Sequence, residues 1–241
     1  AHRRLRAAKP AMKRGVFVTG TDTGVGKTVV CCAIVVALRA RGLRVAPMKP
    51  VAAGAVSRDG TWANEDTIAL AEAAGPDAPP LDAITPLLFR EPVAPHIAAV
   101  REGREIELGP LVEAWRRLAA KADFTVVEGI GGFRVPLAAA LDSADLAAAL
   151  GLPVILVVGL RLGCLNHALL TAQAVECAGL RLGGWVANAL DPAMAAQEEN
   201  VAALAERLPA PLLGHLRFAP GSSSRDIAGQ LDLAPLLAAA E

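Results

Sequence analysis

The chain has 241 residues, 54% of them hydrophobic and only 3% aromatic, and its 24 Lys plus Arg balance 24 Asp plus Glu. That length and hydrophobic fraction suit one α/β domain with a core of Ala, Val and Leu. Neutral charge and the absence of Tyr argue against the basic footprint and stacking platforms of a nucleic-acid binder, and no apolar run reaches the ~18 residues that cross a bilayer.

Residues 1–11 are basic and lack an apolar h-region, so they do not resemble a secretory signal. They precede Met12, and we expect a disordered extension ahead of a single domain spanning 12–241. Gly15–Thr19 predicts a strand. It runs into Gly20-Thr-Asp-Thr-Gly-Val-Gly-Lys-Thr28 at the head of an apolar helix, Lys27–Arg41, that ends at Gly42. Strand, Gly-rich turn, Gly-Lys-Thr and helix form the architecture of a phosphate-binding loop. Gly20, Gly24 and Gly26 let the backbone approach a polyphosphate, the helix points its positive end at the same anion, Lys27 reaches the terminal phosphates and Thr28 offers a hydroxyl to Mg²⁺. One position departs from the usual spacing: Thr21 stands where the first Gly is expected, with Gly20 one step earlier. Cys31 and Cys32 lie inside the helix, where free Cys behaves as a small hydrophobe. With Cys164 and Cys177 they make no C-x-x-C pair, which points to a reducing cytoplasm and not a disulfide framework.

Arg44–Lys49 predicts the second strand, stopped by Pro50. Lys49 at its carboxyl end would bring a second cation beside Lys27. A loop-like, Pro-rich stretch, 76–86, follows a predicted helix at Asn64–Ala74. In that helix Asp66 is either an ordinary first-turn acid or a metal ligand; residues alone leave both open. An amphipathic helix at Leu108–Lys121 precedes the strand Phe124–Val127. Glu128 and Gly129-Ile-Gly-Gly132 come next. A carboxylate directly after an apolar strand beside a phosphate loop is where a Mg²⁺ ligand or water-orienting acid belongs.

The remaining predictions are a helix at Ser143–Leu150, a strand at Val154–Gly159, a helix at Leu165–Ala178, a strand at Leu182–Ala187, a helix at Pro192–Arg207, a last strand at Pro211–His215 and a polar loop at Ala219–Arg225. The Ala-rich tracts 138–140 and 147–149 are helix-prone. Gly163-Cys-Leu-Asn-His167 opens a helix at the crevice edge and could hold a carboxylate, or be an ordinary helix start. His167 suits a helix-start residue better than a catalyst, Cys164 has no base nearby in sequence, and His2, His96 and His215 lack metal-ligand spacing. Apolar strands alternating with helices predict a single three-layer domain of the P-loop NTPase type, with a mostly parallel sheet covered by helices on both faces. Ligands then bind beyond the carboxyl ends of the strands.

Together these segments resemble the dethiobiotin synthetase family, over nearly everything from Met12 to about residue 220. The motifs that carry it are the phosphate loop, Lys49-Pro-Val-Ala52, Asn64-Glu-Asp66, Pro95-His96, Val127-Glu-Gly-Ile-Gly-Gly132, Leu162-Gly-Cys-Leu-Asn-His-Ala168 and Gly184-Trp-Val-Ala-Asn188. The resemblance implies an ATP-dependent ligase that closes the ureido ring of dethiobiotin from 7,8-diaminopelargonate and CO₂, through a carbamate and a carbamoyl-phosphate mixed anhydride, with release of ADP and phosphate. It implies catalytic roles for Lys27 and Lys49, and Mg²⁺ on Thr28, Asp66 and Glu128. ATP would lie on Gly24, Val25, Gly26, Lys27, Thr28 and Val29, against Asp66, Glu128, Gly129, Ile130 and Gly131. Asn188 and Ala189 with Arg217, Phe218 and Ala219 would form the base pocket. Thr23, Lys49, Ala53 and the helix start Gly163, Cys164, Leu165 and Asn166 would hold the diamine, with a homodimer placing the diamine across its interface.

Two departures stand out: Gly24 where many members carry Glu, and Ala53 where many carry Ser. The region after Pro220 aligns poorly with the family. A partner-recruiting switch of the MinD/ParA type would share the fold, but usually carries an early loop Lys that Gly20-Thr-Asp-Thr23 lacks. Its membrane-targeting members end in a basic amphipathic helix, whereas 231–241 is apolar and not basic. A cobyrinate-type amidating synthetase would need a glutaminase domain, for which the chain is too short.

Overall fold

The computed structural model describes residues 15–58 and 60–238; the extension expected at 1–11 lies outside them. Strand β1 (Gly15–Gly20) feeds loop 21–26 and helix α1 (Lys27–Ala40). Strands β2 (Val45–Met48) and β3 (Val51–Ala53) follow, then a hairpin of β4 (Val56–Arg58) and β5 (Thr61–Ala63). Next come α2 (Glu65–Ala74), α3 (Leu81–Ile84), β6 (Leu87–Phe89), α4 (Pro95–Arg101) and α5 (Leu108–Ala119). The second half alternates more regularly: β7 (Phe124–Glu128), β8 (Pro136–Ala138), β9 (Leu141–Asp142), α6 (Ser143–Leu150), β10 (Val154–Leu160), α7 (Cys164–Cys177), β11 (Leu182–Ala189), α8 (Gln197–Ala205), β12 (Leu212–Leu216), α9 (Ser224–Ala228) and α10 (Ala234–Ala238).

Six strands form one parallel sheet in the order β12-β11-β10-β1-β7-β2. Its strands alternate side chains between two apolar layers. Phe17 of β1 points into the layer that holds Trp115, Leu146 and Val175, while Val16 and Val18 point into the layer that holds Val30, Ile34 and Leu70. Both faces are covered, which is why these strands are continuous apolar runs and not half-polar ones. Helix α5 shows the covering pattern: Leu111, Val112, Ala114, Trp115 and Leu118 are buried on one stripe, at the spacing of one helix face. On the outer strand β2, Pro47 lacks an N–H to offer, which blunts the open edge.

The principal strands and helices expected from the sequence are present, with ends shifted by a residue or two. Four expectations need correction. The helix expected from Pro192 starts at Gln197. Asp191 instead accepts from the Ala193 N–H at 2.8 Å and Ala196 takes a left-handed φ of 54°, so local turn bonds hold this segment out of the helix. Ala138–Ala140 ends a strand and turns, because Pro136 and Ala138 pair with β9. The stretch 76–86 is not all loop, since it carries α3. The polar loop from Ala219 stops early, where Ser223 and Asp226 form a capping box at the head of α9.

Candidate active site

β1 lies in the middle of the sheet, and its chain neighbour β2 is separated from it by β7. The order therefore reverses beside β1, and the carboxyl ends of β1, β2 and β7 open onto one crevice. Loop 21–26 leaves β1 there. Gly26 has φ 92°, with no side-chain cap on α1. A side chain at Gly26 is excluded twice: by the left-handed backbone, and because a Cβ would lie 2.3 Å from Asn188 Nδ2. Asn188 comes from β11 and donates to the Val25 carbonyl at 2.8 Å, which fixes the loop from the side. The uncapped first turn of α1 leaves its N–H groups and positive end facing the crevice.

Lys27 bends back over the loop, its ammonium donating to the Asp22 carbonyl at 3.0 Å. Burial pushes this ammonium down, and repulsion from Lys49 adds to that; Glu128 and Asp66 oppose it only in part. Lys49 follows β2 and is only 4% exposed. Its Nζ lies 2.5 Å from Glu128 Oε1 and 3.0 Å from Asp66 Oδ2, and donates to the Gly129 carbonyl at 3.2 Å. Burial alone would lower it, but the two carboxylates outweigh burial and leave it raised. Asp66 moves the other way: burial raises it, while Lys49, the Thr28 hydroxyl and Lys27 pull it below the usual carboxylate range.

Thr28 Oγ1 lies 2.9 Å from Asp66 Oδ1 and 2.9 Å from Glu128 Oε1. One hydroxyl proton cannot satisfy both oxygens. Glu128 is 1% exposed and its Oε2 is buried with no hydrogen-bond partner among the described residues. An orphaned carboxylate oxygen beside a second carboxylate and a hydroxyl is an all-oxygen donor set that suits a hard divalent cation. Mg²⁺ takes one or two carboxylates and leaves the other positions to phosphates and water. Asp66 stands in the first turn of α2, and its carboxylate turns to Thr28 and Lys49.

The other predicted residues surround this centre. Gly129, Ile130 and Gly131 leave β7 beside it, with the Gly129 N–H held by the Val18 carbonyl at 2.8 Å. Val25 is buried, while Thr23, Gly24 and Val29 are exposed at the loop and helix start. Ala189 closes β11, and the pairing of Asn188 with Leu216 brings Arg217, Phe218 and Ala219 out of β12 next to it, all exposed. Ala53 ends β3, half-buried. Helix α7 starts after Gly163, whose φ is 96° and which offers no side-chain cap. Here the Cys164 side chain is buried with its Sγ 4.0 Å from Asn200 Oδ1, and its N–H is taken by the Arg161 carbonyl. Leu165 packs against the core, and Asn166 is exposed.

Two features escaped the sequence reading. Arg161, just past β10, pairs with Asp22 of the phosphate loop. Asn64 does more than cap α2: its Oδ1 accepts the Asp66 N–H at 3.0 Å, while its Nδ2 donates to the Ala53 and Gly54 carbonyls at 3.1 and 3.2 Å. Only its residue type, a preferred N-cap, hinted at the first of these bonds.

The fold is that of P-loop NTPases. MinD from Pyrococcus horikoshii, solved with Mg-ADP, superposes with a TM-score of 0.56 at 21% identity, over 87% of this chain and 83% of that one. MinD from Pyrococcus furiosus gives 0.57 at 17% identity, over 95% and 100%. A family profile described as an AAA domain matches residues 14–225. The ATP-dependent dethiobiotin synthetase BioD of Aromatoleum aromaticum is 51% identical over 220 residues, covering 91% of this chain and 97% of that protein. The chain belongs to the dethiobiotin synthetase family of ATP-dependent ligases that form carbon–nitrogen bonds in biotin biosynthesis.

Proposed function

We propose that the chain closes the ureido ring of dethiobiotin from 7,8-diaminopelargonate, CO₂ and ATP. The observation that carries this reading is Lys49, buried between Glu128 and Asp66 beside the phosphate loop. CO₂ adds to one amine of the diamine and the nitrogen loses a proton, giving a carbamate. A carbamate oxygen attacks the γ-phosphorus as the bond to ADP breaks, forming a mixed carbamic–phosphoric anhydride. The second amine attacks the carbamoyl carbon, phosphate leaves with the C–O electron pair, and loss of a proton completes the cyclic urea.

This chemistry needs no covalent protein nucleophile. It needs positive charge where two anions meet, and a dry, fixed geometry. Lys27 and the N–H groups at the head of α1 would hold the β- and γ-phosphates. Lys49 would bridge the carbamate and the γ-phosphate. Thr28, Asp66 and Glu128 would hold Mg²⁺, which when bound neutralises charge on the phosphate oxygens. Gly24, Val25, Gly26 and Val29 would cradle the triphosphate, with Gly129, Ile130 and Gly131 beside it. Asn188, Ala189, Arg217, Phe218 and Ala219 would border the base.

Thr23 and Ala53 would contact the diamine. Its carboxylate would meet the α7 start, Gly163 to Asn166, from the second subunit of a homodimer. The exposed Leu162, Leu169 and Leu170 around that start supply an apolar surface for such a contact. Among the described residues no helix is long and apolar enough to cross a membrane and the described cysteines are free, which suits a cytoplasmic enzyme.

The test mixes protein, Mg-ATP and bicarbonate with and without the diamine, and follows ADP and product mass. ADP release that requires the diamine, with a cyclic urea product, is expected. Slow hydrolysis indifferent to the diamine would overturn the reading.

A further inference from the structure

We propose that Asn64 is a positioning residue that ties the Asp66 carboxylate to the turn at Ala53–Gly54, so that the cation site and the diamine site are held in one register. The inference rests on the role of Asp66 proposed above.

Two segments meet at this one amide. Its oxygen accepts the Asp66 N–H at 3.0 Å, which sets the first turn of α2 and with it the direction of the Asp66 side chain. Its nitrogen spends both protons on the far side, on the carbonyls of Ala53 and Gly54 at 3.1 and 3.2 Å. That turn is itself anchored: the Gly54 N–H donates to the Glu91 carbonyl and the Ala55 N–H to the Phe89 and Arg90 carbonyls. Gly54 is left-handed at φ 84°, and a Cβ there would meet Pro92 at 3.1 Å, so the turn has little room to shift. The chain from Ala53 to Asn64 makes a hairpin excursion, β4 and β5, and returns to the same point.

The cap alone does not require Asn. Ser and Asp cap equally well through an oxygen, but neither offers the pair of N–H donors that two carbonyls need. The Asp66 carboxylate then completes the chain of contacts through Thr28 at 2.9 Å and Lys49 at 3.0 Å. Groups that orient a ligating carboxylate typically contribute about 10–100-fold in metal affinity when removed.

Asn64→Ser keeps the neutral cap and removes the two donors, and Asn64→Ala removes both. The readouts are thermal melting, Mn²⁺ binding to the protein–ADP complex by EPR, and the Mg²⁺ and diamine dependence of ADP release. Asn64→Ser is expected to melt close to the wild type, yet to bind Mn²⁺ about tenfold more weakly and to raise the Mg²⁺ requirement and the diamine KM together. Wild-type Mn²⁺ binding in Asn64→Ser, with loss confined to Asn64→Ala, would reduce Asn64 to a helix cap and overturn the proposal. Changes that merely follow a lowered melting temperature would also overturn it. If the wild type shows no diamine-dependent ADP release, the proposed reaction fails, while the Mn²⁺ comparison still decides the role of Asn64.

Discussion

Two adjacent strands of the sheet end in the same backbone device. β1 hands the chain to α1 through Gly26 at φ 92°, and β10 hands it to α7 through Gly163 at φ 96°; both helices have 14 residues and neither has a side-chain cap. Their surroundings differ. The α1 start is enclosed by Asn188, by the buried Lys27 and Lys49, and by two carboxylates. At the α7 start, Leu162 is 99% exposed, and the nearest atom to a Cβ on Gly163 is His167 Cε1 at 4.0 Å. A helix start by itself is a generic anion receptor. The surrounding elements ring the first one with two lysines and two carboxylates and leave the second open.

The sharpest way to break this contrast is to remove what distinguishes the first site. Lys49→Ala is expected to lower kcat by about 10²–10³-fold while ADP binding, measured by calorimetry, survives on Lys27 and the loop. It also leaves Glu128 buried without its cation. Breaking such a buried pair costs about 3–5 kcal/mol, and urea unfolding in the absence of Mg²⁺ checks it. Retained kcat would mean that the buried lysine only balances charge.

Matched substitutions at the two glycines test the device itself. Gly163→Ala meets no obstacle except its backbone, so about 1 kcal/mol is expected from urea midpoints. Gly26→Ala bears the same backbone cost and must also displace Asn188, so its loss is expected to be about twice as large, with ATP affinity falling as well. Gly163→Ala should instead raise the diamine KM and leave ATP binding alone. Equal losses at both positions would erase the distinction drawn between the enclosed and the open helix start.

The smallest effect expected is in acid. The folded state holds the Asp66 carboxyl below its ordinary value of 3.8, so the unfolded chain binds the extra proton first. That contribution is in full force above the unfolded value and is lost as pH falls through the folded one. Asp66→Asn should flatten the acid limb of a stability–pH curve below about pH 4. An unchanged limb would indicate that Lys49 favours Glu128 alone.

How much of this was legible depended on whether a residue's role is fixed locally. The phosphate loop, Lys49 and Glu128 each lie at or just past the carboxyl end of an apolar strand, and position on a parallel sheet converts that adjacency into a place in the crevice. Asp66 was ambiguous because first-turn acids are common at helix starts; only the fold, by bringing α2 against α1, sets its carboxylate beside Thr28 and Lys49. Asn64 was beyond reach for the same reason, as its donors serve a turn eleven positions away. The β4–β5 hairpin was overlooked because its three-residue strands carry almost no periodicity. The late start of α8 reflects a contest between Ala-rich helix propensity and the turn bonds of Asp191, which the sequence pattern does not rank.

The placement of the cysteines has a practical consequence. Cys31 and Cys32 lie on the inner face of α1 just behind the phosphate loop; burial pushes the Cys32 thiol up to about 12 and the Cys31 thiol well above its usual value, whereas Cys177 is exposed at the end of α7. Because the thiolate is the species that reacts, an alkylating probe should tag Cys177 at once and reach the α1 pair only when that helix opens. The protein thus carries its own clock for local unfolding of the nucleotide site, read by mass spectrometry without any engineered label, and tightly bound nucleotide should slow it.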